Sequence, residues 1–369
     1  MPSKKINKIT LFVPNLQGGG AERVMAILAN EFATRGLKVD LVLAKATGPY
    51  LSDLSEKVRV VDLGSKRVLT SLASLIIYLR KAQPDAILST LTHANIVILW
   101  AKFLARSNAR VILREADTLT PSLQCAPIIL GRIMSRLIRW FYPMADGVIA
   151  GSKGVSDDLI SHGIVLPDKI NVIHNPAVTP DIIKKSSVTF DHPWFVNGAP
   201  PVILGVGRLT EQKDFQTLIR AFALVCENTP VHLVILGEGE DREKLQALIK
   251  HLGLDDKIEL PGFVDNPFVY MAKSSVFVLS SKWEGLPNVL LHAMALGASV
   301  VATDCPSGPS EILDNGRYGA LVPIGDVNSM AKAIQNYIQN PLLRHDHSEA
   351  LAPFELESIT DQYLSMLQG

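Results

Sequence analysis

Short aliphatic and β-branched runs alternate along this chain with longer stretches of helical period, and the alternation is gone through twice. In the first half, residues 9–13, 39–43, 86–88, 110–113, 148–150 and 171–173 read as strands, with a helix over 21–35. The second half restarts with strands over 202–205, 231–236, 276–279 and 299–302. Its helices are read over 215–227, 242–252 and 288–296, with a last helical region beyond residue 327. Continuous apolar runs too short to be helices suit strands buried on both faces, which is the parallel arrangement built from βαβ crossovers. Between the halves, residues 179–200 are rich in Pro, Ser, Thr and Asp and break the pattern. The expectation is an α/β chain of two doubly wound Rossmann-like domains, 1–178 and 201–345, joined by a linker over 179–200. A C-terminal helix within 346–369 has the first domain as its candidate partner. At 369 residues the chain exceeds the size of one ordinary core, which requires the same division. Ligands of such sheets bind at the carboxyl ends of the strands, so a cleft between the two domains is expected to hold them.

Net charge is zero, but the average hides an asymmetry. Residues 1–180 carry 22 Lys and Arg against 13 Asp and Glu, whereas the remainder carries 14 against 23. Halves of opposite sign point to different partners, with the basic one facing something anionic. Cys125, Cys226 and Cys305 are widely spaced and form neither a disulfide framework nor a zinc set, which suits a reducing compartment. The apolar run at the N-terminus stops at Pro14, too short for a signal-peptide core. No stretch approaches the roughly 20 apolar residues of a membrane span. The expected location is cytoplasmic, peripheral on the inner face of the cytoplasmic membrane.

Three motifs carry chemistry. In PNLQGGGAERV a strand runs through Gly18, Gly19 and Gly20 into a helix, where backbone N–H groups can approach an anion. Arg23 stands where a dinucleotide fingerprint needs a small residue, and the Lys-Ser/Thr of a P-loop is missing. In VILGVGRLTEQKDF, Arg208 and Lys213 follow a buried strand, so both stand at the carboxyl rim of the second sheet. A planar fork and a point charge there would suit a diphosphate, although two surface cations are commonly only solvated. In SSKWEGLPNVLLHAMALG, Glu284 lies on a turn before Pro287, which is placed to open a helix. Glu284 is then either an acceptor for sugar hydroxyls or an acid stabilising the helix N-terminus.

These pieces resemble glycosyltransferase family 4, in order along essentially the whole chain: GGGAERV, GVIAGSKGVSDDLI with IHNP, GRLTEQKDF, ILGEGEDREKL, LPGFVDNPFVYM, SKWEGLPNVLLHAMALG, and DCPSGPSEIL with YGALVPIGD. The resemblance implies a GT-B fold and a retaining transfer, metal-independent and without a cofactor, from a UDP-sugar to a lipid-linked or membrane-surface glycan acceptor. Hexose and N-acetylhexosamine donors are typical, and nucleic acid is no partner. It implies that Gly18, Gly19 and Gly20 close over donor phosphate and acceptor, that Arg208 and Lys213 clamp the diphosphate, and that Glu284 holds sugar hydroxyls. Glu238, Phe263 and Val264 would lie at the nucleotide, with Leu286, Pro287, Asn288 and Glu311 completing the donor site.

The sequence departs from the family in two places. His292 stands where a second glutamate usually holds the ribose, and an imidazole offers one acceptor where a carboxylate offers two oxygens. Ala116 replaces a histidine found in some relatives, leaving His93, Glu115 and Asp117 as acceptor-side candidates. No Asp-x-Asp or metal-ligand spacing occurs, and His345–His347 reads as a solvated helix face. An inactive nucleotide-sugar-binding partner subunit is the alternative that His292 would permit. A two-domain UDP-sugar epimerase shares the architecture but not the WEGLPN and GRLTEQK blocks.

One helix points to the acceptor's surroundings. In GRIMSRLIRWFY, Arg132, Arg136 and Arg139 share a helical face, beside Ile133, Leu137 and Trp140. Such stripes suit a helix lying on anionic headgroups, and equally a core helix with solvated arginines.

Overall fold

The computed structural model describes residues 6–17, 19–120, 128–340 and 346–369. The chain divides into two compact units, residues 1–176 with 356–369, and residues 177–355.

The first unit is built on a parallel seven-stranded sheet. Its strands are β1 (Lys8–Val13), β2 (Lys38–Leu43), β3 (Val58–Asp62), β4 (Ala86–Thr90), β5 (Arg110–Glu115), β6 (Gly147–Ala150) and β7 (Ile170–Val172), in the order β3-β2-β1-β4-β5-β6-β7. The order reverses direction between β1 and β4, which is where a doubly wound sheet opens a crevice. Successive residues of each strand feed opposite layers. Phe12, Val42, Ile87 and Val111 pack under helices Leu72–Ala82, Thr92–Ala105 and Ile128–Phe141. Leu11, Leu41, Leu88 and Ile112 pack with helix Gly20–Thr34 and with Ile359, Tyr363 and Leu367 of helix Leu356–Gln368.

That last helix is held by a wholly buried arginine. Arg114 donates to Tyr363 Oη (3.0 Å), Thr90 Oγ1 (3.0 Å) and Asn175 Oδ1 (2.5 Å), joining the sheet, the segment after β7 and the returning helix. A buried guanidinium is stable only when its N–H groups are met in this way.

The second unit has a parallel six-stranded sheet of β8 (Val202–Val206), β9 (His232–Leu236), β10 (Ile258–Gly262), β11 (Val276–Leu279), β12 (Ser299–Thr303) and β13 (Ala320–Val322), in the order β10-β9-β8-β11-β12-β13. Its switch point lies between β8 and β11. The segment expected to be a linker is part of this unit. Helix Pro180–Ser186 starts it, and Phe190 and Phe195 then pack their rings 4.5 and 5.5 Å from Tyr270. His192 Nε2 meets Glu259 Oε2 at 3.0 Å, and Trp194 stacks on His232 at 4.1 Å. Aromatic anchors scattered through a polar stretch give it a core that its average composition conceals. The unit also extends to Glu355, beyond the expected boundary.

His347 corrects a second expectation. It is buried rather than solvated, with Nδ1 3.1 Å from the Met294 carbonyl and Nε2 3.1 Å from the Tyr318 carbonyl. His345 lies outside the described residues.

Candidate functional site

The loops after β8 and β11 flank the second switch point, and they carry the charged groups of the site. Lys213 Nζ donates to Glu284 Oε1 at 2.5 Å, across 71 residues of chain, and Ser281 Oγ donates to the same oxygen at 2.6 Å. Hydrogen bonds to main-chain carbonyls stitch the two loops together. Lys282 N donates to Gln212 O (2.8 Å), Gln212 Nε2 to Trp283 O (3.0 Å) and Ser280 Oγ to Lys213 O (2.7 Å). Glu284 is 5% exposed, so it is a buried, charge-paired group rather than one projecting freely. It also lies outside the first turn of helix Asn288–Ala295, which excludes the helix-cap reading. Pro287 is the residue before that helix, one position earlier than expected. Arg208 stands exposed at the mouth of the same loop.

Around this pair the backbone is brought unusually close. Gly237 has φ +139°, and a Cβ there would fall 1.9 Å from the Gly207 carbonyl oxygen, so only glycine lets the β9 loop lie on the β8 loop. The next residue, Glu238, is exposed and paired with Arg242 (2.7 and 2.8 Å), whose guanidinium holds the carboxyl below its usual range. Phe263 is exposed and Val264 partly so, both just after β10. Leu286 is buried, and Asn288 opens the helix on which His292 is 5% exposed, its ring edge-on to Phe268 at 5.3 Å. His292 therefore sits inside the unit, packed on Phe268. Ser307 donates to the Gly285 carbonyl (2.8 Å), bringing the loop before Glu311 against the Glu284 turn. Beneath it, burial and the nearby Glu284 push the Cys305 thiol up to about 12, so it stays protonated.

In the first unit, Gly18 lies outside the described residues. Gly19 immediately precedes helix Gly20–Thr34 in extended conformation and gives no side-chain cap. His93 is exposed just after β4, following Leu91, whose φ of +74° is strained for a side chain of that size. Asp117 is half-buried and accepts from the Thr118 amide (3.0 Å).

Glu115 corrects the expectation of an open acceptor contact, because its carboxylate is used inside the unit. Tyr142 Oη and Asn95 Nδ2 (2.8 Å) donate to Oε1, and Thr92 Oγ1 (3.3 Å) donates to Oε2. Burial pushes its pKa up to about 7 against the opposing pull of those bonds and of Arg114. Tyr142, Asn95 and Arg114 were not among the sequence candidates. A polar Thr-x-x-Asn at the start of helix Thr92–Ala105 is a signal for Asn95 alone.

Helix Ile128–Phe141 exposes Arg132, Arg136 and Arg139 together with Ile133 (49%) and Trp140 (71%). Ile138 is buried and Leu137 packs against the core, so the inner side is anchored while the basic and aromatic groups face out. No helix among the described residues is long and apolar enough to cross a membrane. No metal-ligating cluster occurs among them.

Residues 18–179 match the family described as Glycosyltransferase Family 4, and residues 200–340 match Glycosyl transferases group 1. The chain is 30% identical over 348 residues to the N-acetylgalactosamine-N,N'-diacetylbacillosaminyl-diphospho-undecaprenol 4-alpha-N-acetylgalactosaminyltransferase of Campylobacter jejuni, covering 92% of each chain. It is 28% identical to the lipopolysaccharide core biosynthesis glycosyltransferase LpsE of Rhizobium meliloti, covering 95% of this chain and 96% of that one. Among solved structures, Anabaena HepE in complex with UDP-glucose superposes with a TM-score of 0.81 at 22% identity, over 98% of this chain and 99% of that one. That likeness shows the GT-B fold of two Rossmann-like domains. With both halves matched in order and nearly the whole chain aligned to such enzymes, the chain belongs to the glycosyltransferases of family 4 and group 1.

Proposed function

We propose that this glycosyltransferase takes its sugar from a UDP-sugar, retains the anomeric configuration, uses no metal, and delivers the sugar to a lipid-linked glycan. The observation that carries this reading is the Lys213–Glu284 pair at the second switch point, with Arg208 exposed on the loop that carries Lys213. Lys213 spends one N–H on Glu284, and its ammonium has two more to offer a diphosphate. Arg208 adds a planar fork. Both cations meet the negative charge that grows on UDP as it leaves, the point at which fixed charge accelerates transfer most. Glu284 is assigned to a hydroxyl of the donor sugar. Phe263 and Val264 are assigned to the base, Glu238 and His292 to the rest of the nucleotide, and Leu286, Pro287, Asn288 and Glu311 to the wall near the sugar. The resemblance to the family supports retention, and no side chain is assigned as a nucleophile.

The acceptor class rests on the Campylobacter relative, whose name specifies a diphospho-undecaprenol-linked acceptor, and on the basic helix of the first unit. Arg132, Arg136 and Arg139 would meet anionic headgroups while Trp140 enters the boundary layer, holding the enzyme peripherally on the inner face of the cytoplasmic membrane. UDP release from UDP-N-acetylhexosamines or UDP-hexoses is to be followed with an undecaprenyl-diphosphate-linked acceptor, with and without a chelator. Chelator-insensitive release and a product of unchanged anomeric configuration are expected. Release abolished by the chelator, or an inverted product, overturns those parts of the reading. Binding to phosphatidylglycerol vesicles should vanish when the three arginines become serine, with UDP affinity unchanged.

A further inference from the structure

We propose that a cavity in the first unit, at the carboxyl edge of its own sheet, binds the phosphate-bearing end of the acceptor through Lys45, Lys66 and Arg67. This rests on the reading that the acceptor is a lipid-linked glycan, and it names the group by which that acceptor is held. The cavity measures about 450 Å³, within the range that takes small ligands. It opens at the β1/β4 switch point, with Asn15 following β1 and His93 following β4, and it runs along the loops after β2 and β3.

Its electrostatics are one-sided. Lys45, Lys66 and Arg67 all line it and no Asp or Glu does. None of the three side chains has a hydrogen bond or ion pair among the described residues. Several other cations of this unit are matched, Lys8 and Arg59 with Asp40, Arg35 with Glu31, and Lys102 with Asp146. Three unmatched cations around one hollow repel each other, and an anion in their midst relieves that repulsion. Thr47 points the same way, since its Oγ1 is buried in the cavity wall without a partner. A phosphate oxygen would satisfy it.

The hollow is a built feature. Leu16 N donates to Thr47 O (2.9 Å), Lys45 N to Pro14 O (3.1 Å) and Ser65 N to Ala44 O (2.7 Å), so main-chain bonds tie the loops after β1, β2 and β3 to one another. Gly48, at φ +124°, lies so close to the β1 loop that a Cβ would fall 1.9 Å from the Leu16 carbonyl oxygen. Loops fixed this way hold the three cations near one another before any ligand arrives, which lowers the entropic cost of binding. Of the phosphate groups an acceptor could bring, a diphosphate uses three cations most fully.

Calorimetric titration of the whole protein, with and without saturating UDP, tests this with inorganic diphosphate, inorganic phosphate and sulfate at fixed ionic strength. Diphosphate should bind whether or not UDP is present, and more tightly than sulfate. Lys45→Ser/Lys66→Ser/Arg67→Ser should weaken diphosphate by at least about tenfold, the loss expected for removed charge-assisted bonds. UDP affinity and binding to phosphatidylglycerol vesicles should stay as in the wild type. In turnover, the variant should raise KM for the acceptor and leave kcat and the donor KM in place. Equal diphosphate binding by wild type and variant, equal binding of sulfate, or loss of vesicle binding in the variant overturns the proposal, the last by assigning the cations to a headgroup. The titration needs no transfer, so failure of the wild type to bind UDP or move a sugar would be seen separately.

Discussion

Glu115 and Glu284 hold comparable places in the two units, each at the carboxyl edge of a parallel sheet and each almost completely buried. Their partners differ in kind. Glu284 is held by an ammonium and a hydroxyl, Glu115 by a phenol, an amide and a hydroxyl, with Arg114 as a neighbour that spends its N–H groups elsewhere. A carboxylate paired with an ammonium leaves that cation further N–H groups to share with an anionic ligand. One wrapped in neutral donors from its own unit is committed to holding helix Thr92–Ala105 against the sheet. The same residue type at the same edge is thus paired with a cation in one unit and wrapped in neutral donors in the other. The units also differ in sign: with its returning helix the first carries 22 basic and 15 acidic residues, the second 14 and 21.

Five substitutions would break or sharpen this contrast. Arg114→Ala should have the largest effect, destabilising the first unit by about 3–5 kcal/mol through lost bonds to Tyr363, Thr90 and Asn175. Denaturant unfolding checks it, and a loss below about 1 kcal/mol would show that the returning helix holds without its anchor. Lys213→Met should cut kcat by about 10²–10³ and also destabilise the second unit, since it strands a buried carboxylate. Adding Glu284→Gln should restore the stability but not the turnover; recovered turnover would make the pair structural, like Glu115.

Glu115→Gln tests the other side. A carboxyl whose folded pKa is raised to about 7 binds its proton more tightly folded than unfolded. Wild-type stability should therefore decline, relative to the variant, as pH rises from about 4.5 to about 7, by up to roughly 3 kcal/mol. Parallel stability–pH curves for the two proteins would show that folding does not raise the Glu115 pKa. His292→Glu should have the smallest effect, a loss of roughly 1–2 kcal/mol without UDP from placing a carboxylate at a buried position. UDP should then raise the melting temperature of the variant more than that of the wild type. An equal rise would remove position 292 from the ribose site.

The central strands announced themselves because they are buried on both faces and read as unbroken apolar runs. The strands absent from the sequence reading, β3, β10 and β13, all lie at sheet edges. There the chain is half-exposed and interrupted by Arg59 and Asp62 in β3 and by Glu259 and Pro261 in β10, so no such run forms. In the second unit, Arg208, Lys213 and Glu284 stood out singly, because each follows a buried strand. Their pairing joins residues 71 apart, which spacing alone does not reveal. Glu115 misled for the converse reason. Its position at a strand end is what a ligand contact would show, while the groups that enclose it, Asn95 and Tyr142, come from distant helical segments.

The returning helix bears on how the molecule is made. Ile359, Tyr363 and Leu367 are fully buried against strands of the first unit, yet they leave the ribosome only after the entire second unit. Until then the first sheet lacks part of the cover on one layer, and Arg114 lacks its phenolic partner. The unit synthesised first is therefore completed last, whereas the second can close as soon as it emerges. A chain cut after Glu355 would carry a complete second unit and an apolar furrow on the first, the kind of surface that recruits chaperones.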